Sequence, residues 1–159
     1  MQLVTGCRMV RCLMKTVALR YAEMFAPDDG TIALHQALID ELGYAWYGKL
    51  GNPISQSIAR EILESADPRI LLIHSGGQER YWAHVADIQR SIPDLSGIPS
   101  YYRGMADKFK CWFKVTGFTR AENSVMSSCI VVSSGNRLTD ASRHSMSPYF
   151  IIDYTGEVS

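Results

Sequence analysis

The stretch Ile70-Leu71-Leu72-Ile73-His74-Ser75-Gly76-Gly77, followed by Arg80-Tyr81-Trp82-Ala83-His84-Val85-Ala86-Asp87-Ile88, decides how this chain folds. Its first part is a short, fully apolar run bounded by Asp67-Pro68 and by Ser75-Gly76-Gly77. That pattern predicts a buried central strand over Arg69–His74. Ser75-Gly76-Gly77-Gln78-Glu79 has hairpin composition and predicts that Arg80–Ile88 returns as the neighbouring strand. His74 and Ser75 then emerge at the end of the sheet, where they can hydrogen-bond the edge of a planar ligand. As successive residues of an extended strand they point opposite ways, so they do not make a base and nucleophile pair.

Upstream, Thr16–Met24 reads as an opening strand and Pro27-Asp28-Asp29-Gly30 as a turn, with Asp29 or Thr31 as the cap of a helix. In the helix over Thr31–Leu42, the residues Leu34, Ala37, Leu38 and Leu42 recur at helical spacing, and Gly43 stops the run. Tyr44–Leu50 reads as a short aromatic strand. Ser55 caps a second helix running to Ser65, with Ile58, Ile62 and Leu63 on one face. Downstream, Pro93–Gly104 reads as a loop, Lys108–Phe118 and Val125–Ser133 as strands, Leu138–His144 as a short helix and Pro148–Tyr154 as a closing strand. Short strands joined by hairpins and loops, with two early helices, predict an α+β fold: a strongly curved, mixed or antiparallel β-barrel with flanking helices. Residues 1–14 read as an N-terminal extension that contributes little to the fold, and 15–159 as one domain.

The chain has 159 residues, 47% hydrophobic and 20% charged, which is the composition of an ordinary globular domain. Formal net charge is zero, so no overall field draws it to nucleic acid or to an anionic membrane. Residues 101–143 nevertheless hold seven Lys/Arg against three acids. Either this is a solvated face, or Arg103, Lys108, Lys110, Lys114 and Arg137 follow a phosphate backbone. No apolar run is long enough to span a bilayer, and no membrane partner is expected. Met1–Met14 does not read as a secretory signal. The cysteines (Cys7, Cys12, Cys111, Cys129) form no C-x-x-C pair and no zinc-ligand spacing with histidine. They read as reduced thiols of a cytoplasmic protein, with Cys111 and Cys129 buried. No metal, cofactor or paired-carboxylate chemistry is expected, and no motif of catalysis is present.

The aromatic residues carry the functional reading. Trp46, Trp82 and Trp112 stand near Lys49, Arg80 and Lys110. Flat rings beside cations and donors suit a planar polar ligand such as a nucleobase. Trp46 and Tyr47 at a strand end have two readings, core or pocket wall. Trp112 alternates with Phe109, Cys111, Phe113 and Val115 and so falls on the face of Lys110 and Lys114. Ser133, Ser134, Asn136 and Arg137, then Arg143, Ser145 and Ser147, form donor-rich segments suited to phosphate, or else a polar turn and a helix cap. Tyr101-Tyr102-Arg103 suits stacking on unpaired bases, or packing of the loop onto the domain.

In the order of its pieces the chain resembles the PUA-like superfamily, and within it the EVE and YTH type. The similarity lies in an opening strand and helix, the Trp-containing segment Tyr44–Gly51, a second helix, the paired Ile70–Gly76 and Trp82–Ile88, and the Phe109–Val115 strand. It covers about residues 15–152. It implies a compact curved barrel that binds RNA or DNA and holds a modified base in an aromatic pocket. On that resemblance Trp46 and Tyr47 match the segment after the first helix, Ser75 the polar residue at the strand end, and Trp82 or Trp112 the other wall. The usual EVE opening, an apolar strand ending in Lys-Ser/Thr-Glu-Pro, is absent, and Thr16–Met24 stands in its place. The expected partner is a modified or single-stranded nucleic acid, or, as the rival reading, a free nucleotide. A further rival is a protein-interaction module with its aromatic residues in the core.

Overall fold

The computed structural model describes residues 14–21, 30–74 and 78–155. The elements run β1 (Met14–Tyr21), α1 (Thr31–Leu42), β2 (Ala45–Leu50), α2 (Gln56–Glu64), β3 (Arg69–His74), β4 (Arg80–Gln89), β5 (Phe109–Arg120), β6 (Cys129–Val131), α3 (Leu138–His144) and β7 (Tyr149–Tyr154). The described strands form one seven-stranded sheet in the order β2-β5-β4-β3-β1-β7-β6. β3 sits at its centre, parallel to β1 and antiparallel to β4. Every other pairing is antiparallel.

β3 is apolar throughout because both of its faces are covered. Ile70 and Leu72 join the core beneath α1 and α2, while Leu71 and Ile73 join a second core beneath α3 and β6. Register shifts between β4 and β5 at His84, Val85 and Asp87 bend the strands. The resulting curl is strong. Lys49 on β2, at one edge of the sheet, places its Nζ 4.1 Å from the ring centroid of Tyr149 on β7, next to the other edge. The α+β fold and curved mixed sheet expected from the sequence are present as a half-barrel with flanking helices.

Helix α1 spans the predicted residues, and its end is the predicted one. Gly43 adopts φ +89° and donates its N–H to the carbonyl of Ile39 at 2.8 Å. Its start differs from the reading of Thr31 as cap: Gly30 occupies that place with no side-chain bond. The buried stripe is Thr31, His35 and Ile39, whereas Ala37 and Leu42 face solvent. Helical spacing by apolar type alone overlooked a buried histidine. Ser55 caps α2 as read, accepting from the Ile58 N–H at 3.2 Å.

Two segments depart from expectation. Pro93–Gly104 is not an open loop: 3₁₀ turns form over Leu95–Gly97 and Ser100–Lys108 and bury Ile98, Tyr102 and Ala106 against Trp46, Phe109 and Trp112. Val125–Ser133 is not one strand: Val125–Ser128 is a 3₁₀ turn, and only Cys129–Val131 extends. The Ser124 carbonyl accepts from the N–H groups of Ser127 and Ser128 and from the Ser127 hydroxyl. Such local bonds compete with a strand ladder. The first predicted strand is shifted to Met14–Tyr21, and its expected end at Met24 lies outside the described residues, as do residues 1–13 (with Cys7 and Cys12), the Pro27–Asp29 turn and Ser75–Gly77.

Candidate functional site

The curl of the sheet brings the C-terminal end of β1 against β2, and the 100–108 segment covers the seam. A cavity of about 170 Å³ opens there. That is the space of roughly six liquid waters at ~30 Å³ each, room for a single planar ring system. Its apolar wall includes Tyr47, Tyr101, Tyr102, Met105 and Phe109, and its polar groups come from Arg20, Thr31 and Lys49. Among the described residues no carboxylate lines it. Tyr102 anchors the wall, with ring centroids 4.6 Å from Phe109 and 4.8 Å from Tyr101. Gly48 is required by close approach: a Cβ there would lie 2.6 Å from Cγ of Phe109.

Lys49 is almost fully buried, and burial lowers its pKa from the usual value. Its ammonium donates to the carbonyls of Leu50 and Asn52 and caps the Tyr149 ring. This lysine therefore closes the barrel seam as well as lining the cleft. Behind the wall sits His35, fully buried, with ring centroids 5.4 Å from Tyr47 and 5.2 Å from Tyr102. Its Nδ1 lies 2.8 Å from the Thr31 carbonyl, which only accepts, so Nδ1 carries the proton.

Burial pulls the His35 pKa down to about 4, and the bond to the Thr31 carbonyl only partly opposes this. The folded protein thus holds a neutral imidazole, while the unfolded chain protonates near 6.5. Stability is whole above pH 6.5 and falls as pH drops from there toward 4, because the unfolded state binds the extra proton. The expected loss between pH 7 and pH 5 is about 2 kcal/mol, read by urea unfolding at the two values. His35→Leu should remove this pH slope; an unchanged slope in that variant would show that other groups cause it.

A second, more open cleft of about 610 Å³ lies between the 131–136 turn and the 144–151 segment. It gathers Ser133, Ser134, Asn136, Ser145 and Ser147, which the sequence singled out in two separate segments, and adds His144. Arg143 and Arg137 are exposed on either end of α3 and do not line it. Beneath, Arg20 of β1 ties the segment down. Its Nε donates to the Ser147 carbonyl at 2.9 Å, and its Nη2 donates to those of Ser142 and Ser145 at 2.7 and 2.8 Å.

The tryptophans are placed otherwise than a shared cage would need. Trp46, Trp82 and Trp112 are 7%, 2% and 0% exposed. Trp46 and Trp112 pack beneath the 100–108 segment, while Trp82 lies in the core cluster beneath α3, edge-on to Tyr154. The face of Trp82 is occupied by the Arg69 guanidinium at 4.1 Å. Trp112 does share the alternation of Lys110 and Lys114, but the 3₁₀ segment roofs that part of the sheet. His74 stands half-buried with its ring edge-on to Tyr21 at 5.1 Å, and Ser75 lies outside the described residues. Arg103 and Lys108 are exposed on the segment that walls the first cleft, Lys110 is exposed on β5, and the Lys114 ammonium caps the Tyr44 ring at 4.6 Å.

Of the residues assigned to a pocket from sequence, Tyr47 and Lys49 line the first cleft, and five serines and asparagines line the second. Arg20, Thr31, Met105 and Phe109 were missed. One signal for Arg20 was available: it is the charged residue inside the otherwise apolar run Val17–Tyr21. Among the described residues no cluster of His, Cys, Asp or Glu could hold a metal, and no helix is long and apolar enough to cross a membrane.

A family model described as Pua-like matches residues 17–147 of the chain. No curated protein and no solved structure gives a match.

Proposed function

We propose that this chain, which belongs to the Pua-like family over residues 17–147, is a nucleic-acid-binding module of the EVE and YTH type that seats one unpaired or modified base. The observation that carries this is the cleft between β1 and β2: aromatic walls, a volume suited to one ring system, and the cations Arg20 and Lys49 among its described lining. Tyr101, half-buried at the cleft, would stack on the base, with Tyr47 and Tyr102 behind it. Lys49 and Thr31 would meet polar atoms on the base edge. Arg103 and Lys108, exposed on the same 3₁₀ segment, would contact phosphate. The protein acts by binding, without turnover, in the cytoplasm.

The tryptophan stacking that the resemblance implies passes in this reading to tyrosines, because the three indoles are enclosed in the core. A thermal-shift series with the four ordinary ribonucleosides and their base-methylated forms tests the proposal. One of them should stabilise the chain, and Tyr101→Ala should weaken that ligand by about 5- to 150-fold, since stacking contributes roughly 1–3 kcal/mol per base. An undiminished affinity in a folded Tyr101→Ala protein would reject the cleft as the site.

The second reading, a free nucleotide as ligand, is favoured by the zero net charge. Salt separates the two. A strand held by several phosphates loses affinity steeply as salt rises, and a single nucleotide does so shallowly.

A further inference from the structure

We propose that the open cleft beside β6 and β7 is a second subsite, which takes the phosphate and sugar of the nucleotide next to the seated base. This rests on the reading of the β1–β2 cleft as a base pocket. The two clefts share a wall. Ser147 lines the second and its neighbour Pro148 lines the first; successive Cα atoms are about 3.8 Å apart. Arg20 lines the first cleft while its guanidinium holds the carbonyls of Ser145 and Ser147, whose residues line the second.

The second cleft is built to donate. Ser134 Oγ accepts from the Asn136 N–H at 3.2 Å, and Ser145 Oγ accepts from the Ser147 N–H at 3.1 Å. A hydroxyl oriented by an incoming backbone N–H keeps its own proton to give. Asn136 adds an amide with two further donors. Ser147 is different: its hydroxyl is spent on the Tyr149 carbonyl at 2.6 Å. Among the described residues no carboxylate lines the cleft, and Arg143 is exposed close by on α3. Phosphate oxygens only accept, so a donor-rich wall without acids suits them. The greater volume, about 610 against 170 Å³, suits a hydrated sugar-phosphate rather than a stacked ring.

The test uses the full chain and two probes: a fluorescein-labelled single-stranded RNA hexamer of mixed sequence, and the stabilising nucleoside with its 5′-monophosphate. The double variant Ser134→Ala/Asn136→Ala alters exposed side chains, and a thermal melt checks its fold. The hexamer should bind the variant about tenfold more weakly, with nucleoside affinity unchanged. The salt dependence should keep its slope, because neutral donors release no counterions. Arg143→Gln should instead flatten that slope by about one. If the 5′-monophosphate loses as much as the hexamer, the phosphate bound here is that of a free nucleotide; if the hexamer alone loses, it is that of a strand. Unchanged hexamer binding in the double variant, with Tyr101→Ala still weakening it, overturns the second subsite and leaves the base pocket standing. A wild-type chain that binds neither nucleoside nor hexamer overturns both.

Discussion

Trp112→Ala should cost the protein about 3–5 kcal/mol, the range for removing a large aromatic side chain from a core. Trp112 has no exposed surface and sits among Trp46, Ile98, Tyr102, Ala106 and Phe109. Its ring centroid is 5.0 Å from Phe109 and 6.0 Å from Tyr102. Deleting it empties the space beneath the 100–108 segment, and that segment carries the tyrosine wall of the cleft. Folded domains hold only ~5–15 kcal/mol in total, so the midpoint of thermal unfolding should fall by roughly 6–20 °C at ~2–4 °C per kcal/mol. Trp112→Phe supplies the contrast. The indole Nε1 is buried without a hydrogen-bond partner among the described residues, and phenylalanine removes that donor, whose unsatisfied burial costs about 1–3 kcal/mol. The phenylalanine variant should therefore stay within about 1–2 kcal/mol of the native protein. Guanidinium unfolding of the two variants decides the matter. A loss below about 1 kcal/mol for Trp112→Ala would mean that the ring faces a solvent-filled pocket and not a packed core.

Arg20→Met should detach the 142–148 segment. The arginine closes three bonds to main-chain carbonyls from a position on β1, more than 120 residues away in sequence. Hydrogen bonds to a charged group contribute ~1.5–3 kcal/mol each, less than additively. A total near 2–4 kcal/mol is expected. Amide exchange should show where it is lost: protection should drop over 142–148 while α1 and β3 keep theirs. Both clefts lose their common wall, so nucleoside and hexamer binding should fall together. Arg20→Lys should rescue little, because a single ammonium cannot span the carbonyls that the planar fork reaches. If Arg20→Lys matches the wild type in exchange and binding, the arginine is not the tie between the clefts.

The arrangement explains how a protein of zero net charge can offer an anion-tolerant surface. Among the described residues no acid lines either cleft, and exposed cations stand on the segments beside them, Arg103 and Lys108 next to the first and Arg143 next to the second. Affinity for a strand should then come from a few local contacts rather than from a long-range field, and its salt dependence should be correspondingly moderate.

Much of the fold was legible because it depends on local signals. The β3 run was readable from four consecutive aliphatic residues between breakers, α1 from Gly43, and α2 from Ser55 and the Ile58/Ile62 spacing. The Val125–Ser133 error came from ranking apolar content above serine, whose side chain and main chain bonded locally instead. The site was legible only in pieces. Tyr47 and Lys49 were marked as a segment with pocket chemistry, yet nothing in Tyr44–Gly51 says that β1 will lie opposite. Ser134 and Ser145 were marked as donors, but their convergence follows from the pairing of β6 with β7.

The sequence by itself determined the order of most elements, the type of all but the 93–104 and 125–128 segments, the central place of β3 and the family resemblance, since periodicity, capping and turn chemistry act over a few residues. Only the tertiary structure decided which aromatic residues face a ligand. Strand alternation placed Trp112 on the lysine face, and that face became interior once the 100–108 segment folded across it. The curl that brings Lys49 to Tyr149, and Arg20 to three carbonyls beyond residue 141, joins residues about 100 or more positions apart. Contacts of that range arise from the closing of the whole sheet, and no local pattern in the chain encodes them.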